Sequence, residues 1–428
     1  MRFLYLVMYY ILNYTLRLYF RNIKVINKPA KYGKTIFVSN HAASFMDPLV
    51  LAAFNKAVVY FMTRSDVFNS FTKPIFWAAH MLPIYRQRDG VNTKEKNLEV
   101  FKKCSETLLR NRNLLIFGEG VTDDVFVRRL KPIKKGALRI GFTALEASNW
   151  TEDIYIAAVG CNYSQPSVYS SDLLINNSKS IHLNLYRNQY QQNPSKTINE
   201  LTVKLQDLLK STITHVEDSE DTRFHENIMT IQRKGMVHLN EGDPDLQERF
   251  NHSLKLATFI NSKSKNEQIL KHELNCYFEK LNHLGIDDDL LFEARTNSIS
   301  RLIILRHLIL FPFVLLGLMH CGIFFWAIKR FVERKFRRPV FWGSTKLIMM
   351  IFIAGTLNLL VFVVLPQHIG WPLSILYFCL IPLFGHLFHR SLTFWRRLYK
   401  LSLISKQNTS NVWKERIELN QKIVTFVK

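Results

Sequence analysis

Apolar residues crowd the start of the chain in "RFLYLVMYYILNYTLRLYF", where the only charges are Arg2 and Arg17. The uncharged run from Phe3 to Leu16 is too short to cross a ~30 Å hydrocarbon layer as a helix, and no small-residue cleavage pattern follows it. The pattern predicts a helix over 1–22 lying in one leaflet, with Tyr and Arg at the interface. Between 23 and 165 short β-branched runs alternate with longer amphipathic stretches. The predicted strands are "KTIFVS", "AVVYFM", "NLLIFGE" and "IYIAAVGCNY". The predicted helices open at Asp47-Pro48 and then cover "KEKNLEVFKKCSETLLRN" and "KKGALRIGFTALEAS". In the second helix Leu98, Phe101, Leu108 and Leu109 fall along one stripe. Such alternation predicts an α/β domain around a largely parallel sheet.

Residues 166–300 turn polar and mostly helical. "LYRNQYQQNPSKT" reads as a loop, and "INELTVKLQDLLKST" as a helix with Ile198, Leu201, Leu205 and Leu208 on one face. Further amphipathic helices follow through "LKLATFINSKSKNEQILKHELNCYFEKL". The region 301–390 is strongly apolar, and no Asp, Glu, Lys or Arg occurs from Leu347 to His389. That length fits two membrane spans of about 20 residues, near 345–366 and 371–389, joined by a turn at "PQHIGWP". Basic runs, "KRFVERKFRR" and "RSLTFWRRLYK", flank this hairpin, while its turn is uncharged. By the positive-inside rule both flanks, and the tail 391–428, are cytoplasmic. If the shorter stretch 307–328 also crossed, everything before it would be extracellular. A re-entrant or surface hairpin broken near Pro312 is therefore expected there, which leaves the α/β domain on the cytoplasmic face.

Charge narrows the partners. Among 428 residues, 57 Lys+Arg against 34 Asp+Glu give a net +23. Such a surplus meets nucleic acid or anionic lipid. The basic residues crowd beside apolar stretches, and no aromatic–basic reader motif appears, so the lipid bilayer is the expected partner and nucleic acid is not. Five scattered cysteines without a CxxC pair suggest neither a disulfide framework nor a zinc site.

The candidate chemistry starts in "KTIFVSNHAASFMDPLV". Asp47-Pro48 is a normal helix start with Asp47 as N-cap, and His41 could be no more than a turn residue. The functional alternative places His41 at the carboxyl end of a strand, where open α/β sheets put their ligands. An Asp47 carboxylate accepting from one ring nitrogen would leave the other free as a general base. No Gly-x-Ser-x-Gly elbow or neighbouring cysteine offers an enzyme nucleophile, so such a base would act on a substrate hydroxyl. Arg86 and Arg88 follow a strand-like run. Glu119 sits between glycines after an apolar strand, and Arg128, Arg129, Lys131, Lys134 and Lys135 precede a helix N-terminus that suits a phosphate. Each of these has a bland reading as an ion pair, a turn residue or a solvated face.

Taken in order, these segments resemble the glycerolipid acyltransferase family, the lysophosphatidate and glycerol-3-phosphate acyltransferases, over roughly residues 30–165. "NHAASFMD" resembles a one-residue-longer variant of the family's His-x4-Asp motif. "LPIYR" resembles its second motif, ending in Arg86; "FGEGVTD" its Phe-Pro-Glu-Gly-Thr-Arg-Ser motif; and "IYIAAVGCNY" its fourth. Gly118 stands where the motif has Pro, and Thr122 where it has Arg. The resemblance implies an acyltransferase-type α/β domain that moves an acyl group from acyl-CoA or acyl-carrier protein to a lysophospholipid or glycerol-3-phosphate. It needs no cofactor, metal or covalent acyl-enzyme. His41 is then the base and Asp47 its orienting partner. Asn40, Arg86, Glu119, Gly120, Arg128, Arg129 and Lys131 bind the acceptor. A rival of another class is a non-catalytic lipid-binding scaffold on the same fold.

Overall fold

A computed structural model describes residues 2–28, 33–55, 59–70, 72–85, 93–242, 244–296, 301–404 and 409–427. The chain divides into two compact units. The first comprises residues 1–166 and 171–217, and the second residues 167–170 and 218–428.

The first unit is built on one sheet. In chain order its elements are α1 (Arg2–Tyr19), β1 (Phe20–Ile26), β2 (Thr35–Ser39), α2 (Met46–Phe54), β3 (Val59–Arg64), α3 (Thr72–Ala78), β4 (Met81–Ile84), α4 (Thr93–Leu109), β5 (Asn113–Phe117), α5 (Gly136–Ala147), β6 (Tyr155–Tyr163), β7 (Ser171–Asn177), β8 (Ile181–His182), α6 (Arg187–Gln192) and α7 (Pro194–Thr212). Strand order is β1-β7-β6-β2-β5-β3-β4, with β8 also on β6. From β6 to β4 every pairing is parallel, whereas β7 and β8 run antiparallel to β6. All five residues of β2 are buried, as a parallel strand covered on both faces requires. Its uninterrupted "TIFVS" is what that position selects. All four predicted strands and three predicted helices of this region are present. The chain adds β1, β4, β7 and β8, whose short or half-exposed sequences carry little periodicity.

Packing explains three departures from the sequence reading. On α4 the buried side is Val100, Cys104 and Leu108, while Leu98 is 60% exposed, because the helix turns its other stripe to α5. "LYRNQYQQNPSKT" is not a loop: it forms α6 and the first turn of α7, where Asn193 caps through a bond from the Lys196 N–H and Pro194 takes the first helical position. Finally, β7 and α7 extend the sheet domain beyond residue 165. Helix α7 lies along β6 and buries Ile198, Leu201, Leu205 and Leu209 in the core shared with Ile36, Leu114 and Ile156. Each such side chain contributes about 1.5–3 kcal/mol relative to exposure.

The second unit is helical. It holds α8 (Thr222–Gln232), α9 (Leu246–Asn261), α10 (Lys265–His283), α11 (Asp288–Thr296), a short helix Arg301–Ile309 and a last helix Ser410–Phe426. Three stretches are long and apolar enough to cross a membrane: Phe311–Lys335, Pro339–Val364 and Pro366–Leu403. Where a hairpin broken near Pro312 was expected, Phe311–Lys335 is a continuous helix with Pro312 in its first turn, where a proline costs no hydrogen bond. The turn expected at "PQHIGWP" falls at Gly370, whose φ of +76° interrupts the helical path. The three stretches share a polar knot. His320 Nδ1 lies 2.6 Å from Asn358 Oδ1, and its Nε2 lies 2.8 Å from the Tyr377 hydroxyl. The last helix packs on α10, α8 and α11. Buried Arg416 reaches both Asp288 oxygens, at 2.9 and 3.0 Å, and donates to the Ile231 carbonyl at 2.8 Å.

Gly160 marks the tightest approach within the sheet domain. A Cβ there would lie 2.3 Å from the Thr212 carbonyl oxygen, which is backbone and unable to swing aside. Gly160→Ala should therefore destabilise the protein by about 1–3 kcal/mol, read as an earlier thermal transition of the detergent-purified chain. An unchanged transition would show that α7 does not close on β6 in this way.

Candidate active site

Strands β2 and β5 are parallel neighbours in register from Ile36↔Leu114 to Ser39↔Phe117. Their carboxyl ends therefore deliver Asn40-His41 and Gly118-Glu119 side by side. The Glu119 carboxylate, 5% exposed, accepts from the His41 N–H at 2.7 Å through one oxygen and from the Lys131 N–H at 3.0 Å through the other. Asn40 turns the other way. Its side chain accepts from the Cys161 N–H at 2.8 Å and donates to the Cys161 carbonyl at 3.1 Å, which locks the end of β2 to β6.

The imidazole of His41 is held on two sides. Its ring stacks on Phe117 with centroids 4.1 Å apart, and Nδ1 lies 3.0 Å from Asp47 Oδ2. A carboxylate can only accept, so the proton belongs on Nδ1 and the lone pair on Nε2. No described residue bonds Nε2, and the side chain is 21% exposed. Asp47 itself is 0% exposed. Its Oδ2 also accepts from the Ala43 N–H at 2.9 Å, and its Oδ1 accepts from the Tyr163 hydroxyl at 2.8 Å. These three donors offset the cost of burying a charge. Asp47 is not the expected N-cap: Phe45 holds that position, α2 starts two residues earlier than expected, at Met46, and the Asp47 side chain reaches back across the turn. Ser44 in that turn has a φ of +52°, a left-handed conformation that non-glycine residues adopt at a cost and that clusters at functional turns.

The loop 118–135 is tethered through its backbone at several points. Lys134 N–H donates to the Gly118 carbonyl at 2.9 Å, and Val216 N–H to the Arg128 carbonyl at 2.8 Å. Leu130 N–H donates to His215 Nδ1 at 2.9 Å, and Ile133 N–H to Gln206 Oε1 at 3.1 Å. The Arg128 guanidinium, buried at 4% exposure, donates to the carbonyls of Tyr163 and Ser164 at 2.8 and 3.3 Å. It ties the loop to the end of β6, in place of the expected open cation for a phosphate. The Lys131 ammonium lies 2.6 Å from Asp123 Oδ1. Gly120 is exposed with a φ of +68° beside the Lys134 chain. Arg129 is half-buried, and its charge acts on His215. Arg86 lies outside the described residues. The structure thus gathers Asn40, His41, Asp47, Glu119 and Lys131 at one pair of strand ends. Sequence reading missed Tyr163, although the polar "NYS" closing the apolar run of β6 marks a strand end bearing hydrogen-bonding groups.

Burial shifts three groups here. The Glu119 carboxyl is raised, with the amides of His41 and Lys131 opposing. The Tyr163 phenol is raised well above its ordinary value, by burial first and the Asp47 charge second, so it stays a donor. His215 is lowered from 6.5 by burial and then by Lys210, with Glu217 opposing and Arg129 adding to the lowering.

The chemistry open to this arrangement is base catalysis: a fixed imidazole at the strand ends of a parallel α/β domain, whose Nε2 is placed to take a proton from a bound hydroxyl. Residues 18–162 match the family model described as Acyltransferase. That match covers about a third of the chain. No curated protein matches it. Among solved structures it is similar to the 1-acyl-sn-glycerophosphate (LPA) acyltransferase PlsC of Thermotoga maritima, with 15% identity and a TM-score of 0.30. That likeness covers 45% of this chain and 78% of that one.

Because the folded-state pKa of His215 lies below 6.5, the unfolded chain takes up the proton first as pH falls. The stability of the neutral ring is complete above 6.5 and is lost below it, together with the bond from Leu130. His215→Gln keeps an acceptor for that N–H and should flatten the decline in thermal stability on the acid side of 6.5. An equally steep decline in the variant would remove His215 as its source.

Proposed function

We propose that the chain is a membrane-bound O-acyltransferase that moves a fatty acyl group from acyl-CoA or acyl-carrier protein to the glycerol hydroxyl of lysophosphatidate. The observation that carries this is the 3.0 Å contact of His41 Nδ1 with Asp47 Oδ2, set beside an Nε2 that no described residue occupies, inside an acyltransferase domain. His41 Nε2 takes the hydroxyl proton as the oxygen attacks the thioester carbonyl carbon. The C–S bond then breaks, and the imidazolium returns its proton to the departing sulfur. Asp47 holds the ring and offsets its positive charge while the proton resides there. General-base catalysis of this kind contributes ~10²–10⁴-fold, and positioning supplies much of the rest. Lys131 and Arg129, with Arg86, are the cations we assign to the acceptor's phosphate.

The test is purified protein with labelled acyl-CoA or acyl-carrier protein and a panel of lysophosphatidate, glycerol-3-phosphate and other lysolipids, resolved by lipid chromatography. Acylated lysophosphatidate is expected. His41→Ala should lower the rate at least ~10²-fold with folding and membrane attachment intact. Transfer to glycerol-3-phosphate alone would move the assignment to the sn-1 reaction. Transfer to none would favour the scaffold.

We infer further that the domain faces the cytoplasm and that two of the three apolar helices cross. Asp288 and Arg416 are ion-paired and buried together, Lys280 meets Glu415 at 2.9 Å, and the Arg295 Nη2 donates to the Thr409 hydroxyl at 2.9 Å. Residues before and after the apolar region therefore lie on one side of any bilayer, which requires an even number of crossings. The uncharged turn and basic flanks favour Pro339–Val364 and Pro366–Leu403 as the crossing pair. Epitope tags at Gly285 and after the last helix should show the same accessibility in sealed vesicles. Opposite accessibility would overturn the even count.

A further inference from the structure

Asp47 has two oxygens with distinct duties. Oδ2 serves the site: it faces His41 Nδ1 at 3.0 Å and accepts from Ala43 N–H at 2.9 Å. Oδ1 meets a single side chain, the Tyr163 hydroxyl, at 2.8 Å. Tyr163 comes from the end of β6, 116 residues away in sequence, and is among the largest fully buried side chains of the protein. Its ring is wedged between Phe20, centroids 6.0 Å apart, and Phe126, edge-on at 6.3 Å. Its own carbonyl accepts from Arg128 Nη1. Backbone and ring are therefore both fixed, and the hydroxyl donates to Asp47 Oδ1 with the buried Cys161 thiol beside it.

From this geometry we infer that Tyr163 is a positioning residue for acyl transfer, setting both the rotation of the Asp47 carboxylate and the share of its charge that His41 receives. The inference rests on the His41–Asp47 reading above. A carboxylate turns about its last bond with little resistance, since terminal sp³–sp² torsions are broad. Two donors on Oδ2 alone would leave Oδ1 free to rock, and the plane facing Nδ1 would rock with it. A phenol in a packed slot pins the second oxygen. It also draws negative charge toward Oδ1, which tempers how strongly Oδ2 holds an imidazolium. A base that must give its proton back to the leaving sulfur benefits from that tempering, because an imidazolium held too tightly is a poor acid. Burial keeps the phenol protonated, so it donates throughout the working range.

The experiment is Tyr163→Phe in the full-length, detergent-purified enzyme, beside His41→Ala and Phe20→Leu. Tyr163→Phe removes one oxygen and keeps the ring. Phe20→Leu disturbs the packing around that ring and leaves the hydroxyl. We expect Tyr163→Phe to lower kcat roughly 10-fold, with KM for donor and acceptor within about 2-fold and the thermal transition near that of the parent. The acid limb of its kcat/KM profile should move to higher pH, since a carboxylate relieved of its second donor holds the imidazolium more tightly. Phe20→Leu should lower the thermal transition and leave the pH profile in place. Parental kcat and pH profile in Tyr163→Phe, while His41→Ala is inactive, would overturn this inference and leave the proposed function standing. A rate loss in Tyr163→Phe that merely follows loss of folded protein, as in Phe20→Leu, would overturn it too. Full acyl transfer by His41→Ala would overturn the proposed function and this inference together.

Discussion

A negative charge removed from water governs this site. Asp47 has no exposed surface, and a carboxylate so placed persists only if donors surround it. The chain supplies them from three directions: a ring nitrogen six residues earlier, a backbone amide inside the turn and a phenol from a distant strand. Each requirement restricts another part of the fold. The amide of Ala43 needs the tight turn with its left-handed Ser44, the ring of His41 needs the stacked face of Phe117, and the phenol needs β6 beside β2. The sheet order β6-β2-β5 satisfies all of these, because parallel register brings three strand ends to one place.

Glu119 shows the same economy. It lies where the resemblance would have it touch substrate, but both its oxygens are engaged by main-chain N–H groups of His41 and Lys131. Its observed contribution is to couple the turn carrying His41 to the loop carrying Lys131. Arg128 likewise faces inward and ties that loop to the end of β6. Side chains whose charges suggested ligand binding are thus partly occupied in building the walls.

The alternating part of the chain was legible because parallel strands buried on both faces read as continuous β-branched runs and amphipathic helices keep their period. "TIFVS" and "IYIAAVGCNY" announced themselves for that reason. Strand β7 did not, since "SDLLINN" mixes polar and apolar residues and gains its place only by pairing with β6 and β1. The stripe of α4 was misplaced because several stripes of that helix are partly apolar and only packing against α5 selects one. His41 and Asp47 were legible as a pair through spacing and resemblance. Tyr163 was not, because its partner is set by register between strands and not by distance along the chain. Even the departure at Gly118 has a local cause: its N–H donates to the Ser39 carbonyl at 3.1 Å, a bond a proline could not make.

The tethering of the loop 118–135 has a consequence for how such an enzyme can change over generations. Main-chain amides at Leu130, Lys131, Ile133 and Lys134 carry bonds that shape it. Main-chain groups are common to nearly every amino acid, so the outward residues of this segment are free to drift. The surface of this loop can then be remade by substitution while its path is inherited intact.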